Sequence, residues 1–133
     1  MRIDQNVFCT DSPCADVLPE RSSVPAVELD PAAVRLVLIS ECASALPEDD
    51  YYASGNALFA RTTLQAFEDA GLKASSIGDL LAHGIYCTPA VKCAKTGYAI
   101  QKATIAACSR LLEQELALFP NAAAYLLMGD VAI

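Results

Sequence analysis

No stretch of this chain reaches the ~18 to 20 apolar residues that a helix needs to span a bilayer. The first residues, Met1-Arg2-Ile3-Asp4-Gln5-Asn6, also lack the apolar core of a secretory signal. The expected location is therefore cytoplasmic, with no membrane partner. The chain has no internal repeat and no low-complexity tract, and its 133 residues leave no room for a second domain. Only six glycines and 19% charged residues, against 54% hydrophobic ones, exclude a disordered segment. The chain has the apolar content to bury a core.

Basic residues are scarce overall, and the formal net charge of −7 argues against binding a polyanion. That charge is unevenly placed. Ten acids (Asp4, Asp11, Asp16, Glu20, Glu28, Asp30, Glu41, Glu48, Asp49 and Asp50) and only three arginines (Arg2, Arg21 and Arg35) fall within residues 1–50, which accounts for all of it. From Leu80 to Leu112 there is no Asp or Glu, while Lys92, Lys95, Lys102 and Arg110 fall inside. One face of an acidic protein can therefore be basic. The six cysteines, in a reducing compartment, read as thiols, metal ligands or small buried hydrophobes rather than disulfides.

Residues 1–29 carry Pro13, Pro19 and Pro25 with no sustained period, which predicts an N-terminal arm or extended loop. Asp30-Pro31 predicts a capped helical turn, and the apolar run from Val34 to Ile39 a strand covered on both faces. Ser54 is a candidate cap for a helix to about Ala70, with Phe59, Thr63, Ala66, Phe67 and Ala70 on one stripe and Gly71 after it. Ser75 or Ser76 opens a short helix that Gly84 ends. Ile85 to Val91 predicts a second strand, in which Pro89 marks an end or a bulge. A third helix from about Ala103 to Phe119 is stopped by Pro120, and Ala122 to Met128 predicts a third strand. Gly129 to Ile133 would open another helix. Alternating strands and helices predict an α/β fold of three layers, α/β/α, around a parallel sheet.

Ser40-Glu41-Cys42-Ala43-Ser44 directly follows the first predicted strand. Ligands of open α/β sheets bind at the carboxyl ends of the strands, so Glu41 stands where a carboxylate can hold or activate a water. It can equally cap the next turn or pair with a lysine. The acidic run Glu48 to Asp50 reads as a solvated loop. The loop after the first strand lacks a phosphate-cradling Gly-rich or Ser/Thr-rich sequence, which weakens a flavodoxin-like nucleotide-binding reading. The single histidine, His83, lies at the end of the short helix, where it caps the helix or faces solvent.

Three blocks in order carry a family likeness: the strand-end Glu41, then Thr88-Pro89-Ala90-Val91-Lys92-Cys93 with Cys108 on the next helix, then Leu127-Met128-Gly129-Asp130-Val131-Ala132. From about residue 34 to 133 the chain resembles the uracil-DNA glycosylase superfamily, and most closely its iron–sulfur-containing branch. The resemblance implies strand order 2-1-3-4, with the fourth strand and a later His motif beyond Ile133. The chain would then be the N-terminal part of the domain, inactive and weak on DNA by itself, with an exposed sheet edge prone to self-association.

The resemblance also implies base-excision repair: a base is flipped out of the stack and its N-glycosidic bond hydrolysed. Glu41 would position the water. Tyr51, Tyr52 and Phe59 compete to stack on the base, with Tyr52 preferred; Ser40, Cys42 and Pro89 would border it. Pro89 replaces the Asn that reads a pyrimidine edge, and it offers no donor. Lys92, Lys95 and Lys102 would meet DNA phosphates. Cys9, Cys14, Cys93 and Cys108 would hold a [4Fe-4S] cluster, leaving Cys42 and Cys87 as packed hydrophobes. The alternative is a non-catalytic α/β binding or interaction module that keeps the glycosylase fold.

Overall fold

The computed structural model describes residues 1–11, 13–53 and 57–133. It is a mixed α/β fold. Its strands are β1 (Val17–Ser22), β2 (Leu36–Cys42), β3 (Ile85–Val91), β4 (Cys93–Lys95) and β5 (Ala124–Leu127), and its helices α1 (Leu58–Asp69), α2 (Ile77–Ala82) and α3 (Lys102–Leu116). The main sheet is parallel with order β3-β2-β5, so the first of the three parallel strands lies between the second and third. That is the 2-1-3 part of the expected order.

Alternation along the strands sorts side chains to two faces. Leu38, Ile85 and Cys87 pack with Ile77 and Leu80 of α2 and Leu64 and Phe67 of α1. Val37, Ile39 and Tyr86 pack on the other face with Leu112 and Leu116 of α3 and with Phe119. Three layers result. β3 is buried along its whole length, whereas β5 is exposed at every residue.

Local chemistry accounts for the joints. The Asp30 side chain accepts from the Ala32 amide at 3.1 Å and opens the Pro31–Ala33 turn. Ser76 caps α2, and His83 is its C-cap. Gly84 takes φ +81°, and a Cβ there would lie 2.7 Å from the Ala33 carbonyl oxygen. The proposed Ser54 cap lies outside the described residues; the N-cap of α1 is Ala57. On α1 the buried residue is Thr63, while Ala66 and Ala70 face solvent. Gly129 to Ile133 forms turns rather than a helix.

The first 29 residues are not a detached arm. Ile3, Val7, Val17 and Leu29 are buried, with Ile3 in the main core. β1 pairs antiparallel with β4, a two-stranded ribbon that Pro19 and the brevity of β4 hid from the sequence. Asp16 then reaches α3, accepting from the Gln101 amide at 2.7 Å and from the Thr104 hydroxyl. It caps a helix whose own N-cap residue, Gln101, makes no side-chain cap.

Candidate functional site

Glu41 is the penultimate residue of β2, at the carboxyl end of the central strand. The turn after β5 seats against it. Gly129 has φ +84°, and a Cβ on it would lie 2.9 Å from both Cγ and Cδ of Glu41, a separation real side chains do not show. The Met128 amide donates to the Ile39 carbonyl at 2.9 Å and fixes that turn to β2. Among the described residues, no lysine or arginine forms an ion pair with Glu41. The two sequence blocks that end β2 and β5 therefore meet through these two residues.

A cavity of about 280 Å³ is lined by residues 22–26 together with Asp50, Tyr51, Tyr52 and Pro89; Glu41 is not among its lining residues. The Tyr52 hydroxyl accepts from the Cys87 amide at 2.9 Å, and its ring stacks on Tyr86 with centroids 6.1 Å apart and planes at 19°. Burial drives the Tyr52 phenol well above its usual range. Burial likewise pushes the Tyr51 phenol up to about 12, opposed by a hydrogen bond with Ser40. The Tyr51 ring meets Phe59 edge-on at 4.9 Å, so Phe59 supports Tyr51.

The structure therefore puts Tyr52 and Pro89 on the cavity and Ser40 beside Tyr51. Cys42 requires correction as a base-bordering residue. It packs against the cluster of Val17, Val91 and Cys108, where β2 ends against β4, and does not line this cavity. Burial there raises its thiol pKa.

A second cavity, of about 410 Å³, is lined by Cys9 and Cys14 from the N-terminal segment, Cys93 from β4 and Cys108 from α3. Cys42 and Cys87 do not line it. Burial raises the pKa of both Cys93 and Cys108. Cys9 and Cys14 push Cys93 further up, and Cys93 and Cys14 do the same to Cys108, as expected of thiols that share one space. The Lys92 amide donates to Cys108 Sγ at 3.2 Å, a bond of the kind that stabilises a thiolate. Among the described residues, no three His, Cys, Asp or Glu side chains form a group fit for a single metal ion. A four-thiol donor set around one cavity is nevertheless chemically suited to an iron–sulfur cluster, whose several irons take one thiolate each.

Lys92 is the clearest departure from expectation. It has no exposed surface, and its ammonium is paired with the equally buried Glu115 while donating to Thr88 Oγ1 at 2.7 Å and to the Pro89 carbonyl at 2.6 Å. Glu115 Oε1 also accepts from the Tyr86 hydroxyl at 2.5 Å and the Thr88 hydroxyl at 2.7 Å. Desolvation lowers the Lys92 pKa, and the Glu115 charge opposes it. A lysine so enclosed cannot meet a phosphate. Lys95 and Lys102 remain available: Lys95 Nζ donates to the Tyr98 carbonyl at 2.8 Å and sits 5.4 Å from the ring centroid of Tyr98. Tyr98 itself is 96% exposed, an aromatic face that the sequence reading passed over. Lys102 is the exposed first residue of α3.

No protein-family model matches this chain, and a search of curated proteins likewise finds no match.

Proposed function

We propose that the chain is a glycosylase domain of the uracil-DNA glycosylase type, acting in base-excision repair on a flipped base. The observation that carries this reading is the apposition of Glu41 and Gly129 at the carboxyl end of the parallel sheet. It brings a carboxylate from the central strand against the glycine turn of the third strand, and Tyr52 and Pro89 line a cavity of their own.

In this reading Tyr52 borders the flipped base, and Glu41 orients a water toward C1′ of the sugar. The water oxygen bonds to C1′ as the C1′–N bond breaks, the base leaves with the bonding pair, and the proton of the water passes to Glu41 or to solvent. Lys95 and Lys102 supply positive charge to the phosphates, and the exposed Tyr98 beside Lys95 gives an unstacked base a platform. Cys9, Cys14, Cys93 and Cys108 are the residues that would hold a [4Fe-4S] cluster. Such a cluster would serve as a structural tie or an electron-transfer group.

The reading is tested by a base-release assay with the full gene product on uracil-containing and other damaged-base oligonucleotides, alongside Glu41→Ala. A second reading, a non-catalytic binding module on the same fold, is favoured by Pro89. Its ring gives a base no donor, and its carbonyl already accepts from Lys92. Oligonucleotide binding without release of any base would select that alternative.

A further inference from the structure

β1 and β4 pair with an irregularity. Leu18 faces Ala94 while Ser22 faces Cys93, so three residues of β1, Pro19 to Arg21, are spanned by a single step of β4. Such bulges re-aim a side chain. Here the side chain is Arg21, which leaves the ribbon and reaches the loop that follows β2. Its Nε donates to the Ala45 carbonyl at 3.2 Å, and its Nη2 to the Ser44 carbonyl at 3.0 Å and to Asp50 Oδ1 at 3.1 Å. The Arg21 side chain is mostly covered, with 19% of it exposed.

Both segments that Arg21 joins contribute to the lining of the strand-end cavity: residues 22–26, directly after Arg21, and Pro47 with residues 50–53, including both tyrosines. Asp50 immediately precedes Tyr51. Among the described residues, the loop is otherwise tied by Leu46 N–H to Ser44 Oγ, by one turn each at Asp49, Asp50 and Ala53, and by the Tyr52 hydroxyl accepting from the Cys87 amide. A planar fork bonded at three points fixes both the spacing and the orientation of such a loop, which a point charge cannot do.

We propose that Arg21 is a positioning residue: a latch from the N-terminal segment that holds Tyr51 and Tyr52 at the cavity and so sets its fit for a planar base. The proposal rests on the cavity being the base pocket. Arg21 acts through the loop rather than on phosphate, so its loss should weaken base recognition and leave backbone electrostatics alone.

The test uses the full gene product and its Arg21→Ala, Arg21→Lys and Asp50→Asn variants. Amide hydrogen exchange is followed at Asp49, Asp50 and Ala53, with the amides of β2 and β3 as internal control. Binding is measured for a single-stranded oligonucleotide with one uracil and for its thymine counterpart, over a range of salt. In both Arg21 variants the loop amides should exchange about tenfold faster or more, with the strand amides unchanged. Asp50→Asn, which keeps the two carbonyl contacts, should give a smaller rise. The preference for uracil should fall in the Arg21 variants while the salt dependence stays that of the wild type. Unchanged loop exchange in Arg21→Ala, full rescue by lysine, or loop and strand amides quickening together would overturn the latch. A wild type with no preference between the two oligonucleotides would instead overturn the base-pocket reading, since the exchange data judge the latch separately.

Discussion

The Glu41 carboxylate occupies the space that a side chain on residue 129 would need. Gly129 is held there by its φ of +84°, and a Cβ at this position would move the Glu41 carboxylate aside. Gly129→Ala should therefore cost roughly 1–3 kcal/mol, from left-handed strain and displacement of the carboxylate. Urea unfolding midpoints measure the first effect, and loss of base release without loss of oligonucleotide binding measures the second.

Lys92 and Glu115 form a buried pair between β3 and α3. Removing one partner leaves the other charge without compensation, so Glu115→Ala should lose about 3–5 kcal/mol of stability. Lys92→Met combined with Glu115→Leu should recover only part of that loss, because no charge is left behind but the buried Tyr86 and Thr88 hydroxyls lose their acceptor. Equilibrium unfolding of the single and double variants gives the comparison.

The sulfur-lined cavity makes a prediction with a definite pH sign. Burial holds the Cys93 and Cys108 thiols above their usual range, so they stay protonated to higher pH than a free thiol. A metal or cluster must displace those protons, so iron uptake should strengthen as pH rises. Anaerobic reconstitution should give absorbance near ~400 nm. Cys93→Ser and Cys9→Ser should lose iron, whereas Cys87→Ser, away from the cavity, should retain it. Iron and sulfide content per chain is the readout.

β5 is the open edge of the sheet, and Tyr125, Leu126, Leu127 and Met128 are each 44–47% exposed. No charge interrupts residues 122–129, and unprotected edges of this kind pair with one another. Sedimentation of the 133-residue chain should show concentration-dependent association. Leu126→Lys should suppress it, and a monomer at all concentrations would remove the prediction.

The parallel sheet was legible because its strands are apolar runs bounded by glycines and caps: Ile85 to Val91 is β3 to the residue, and Gly84 marks its start. The β1–β4 ribbon was not, since Pro19 interrupts one strand and the other has three residues. Lys92 misled for a physical reason. In an acid-free stretch it reads as a surface charge, and only the packing of α3 against β3 brings Glu115, 23 positions away, to neutralise it. Glu41 was singled out by its place at the end of a strand and Tyr52 by the family resemblance, whereas Arg21 carried no signal, because its partners are two backbone carbonyls and one of many acids.

The most direct measurement is base release from a single-stranded uracil oligonucleotide by the full gene product, with Glu41→Gln beside it. The account predicts release of free uracil, reduced roughly 10²- to 10⁴-fold in Glu41→Gln while oligonucleotide binding is retained. Release in Glu41→Gln equal to wild type, or a wild type that frees no base from any damaged oligonucleotide, would contradict it.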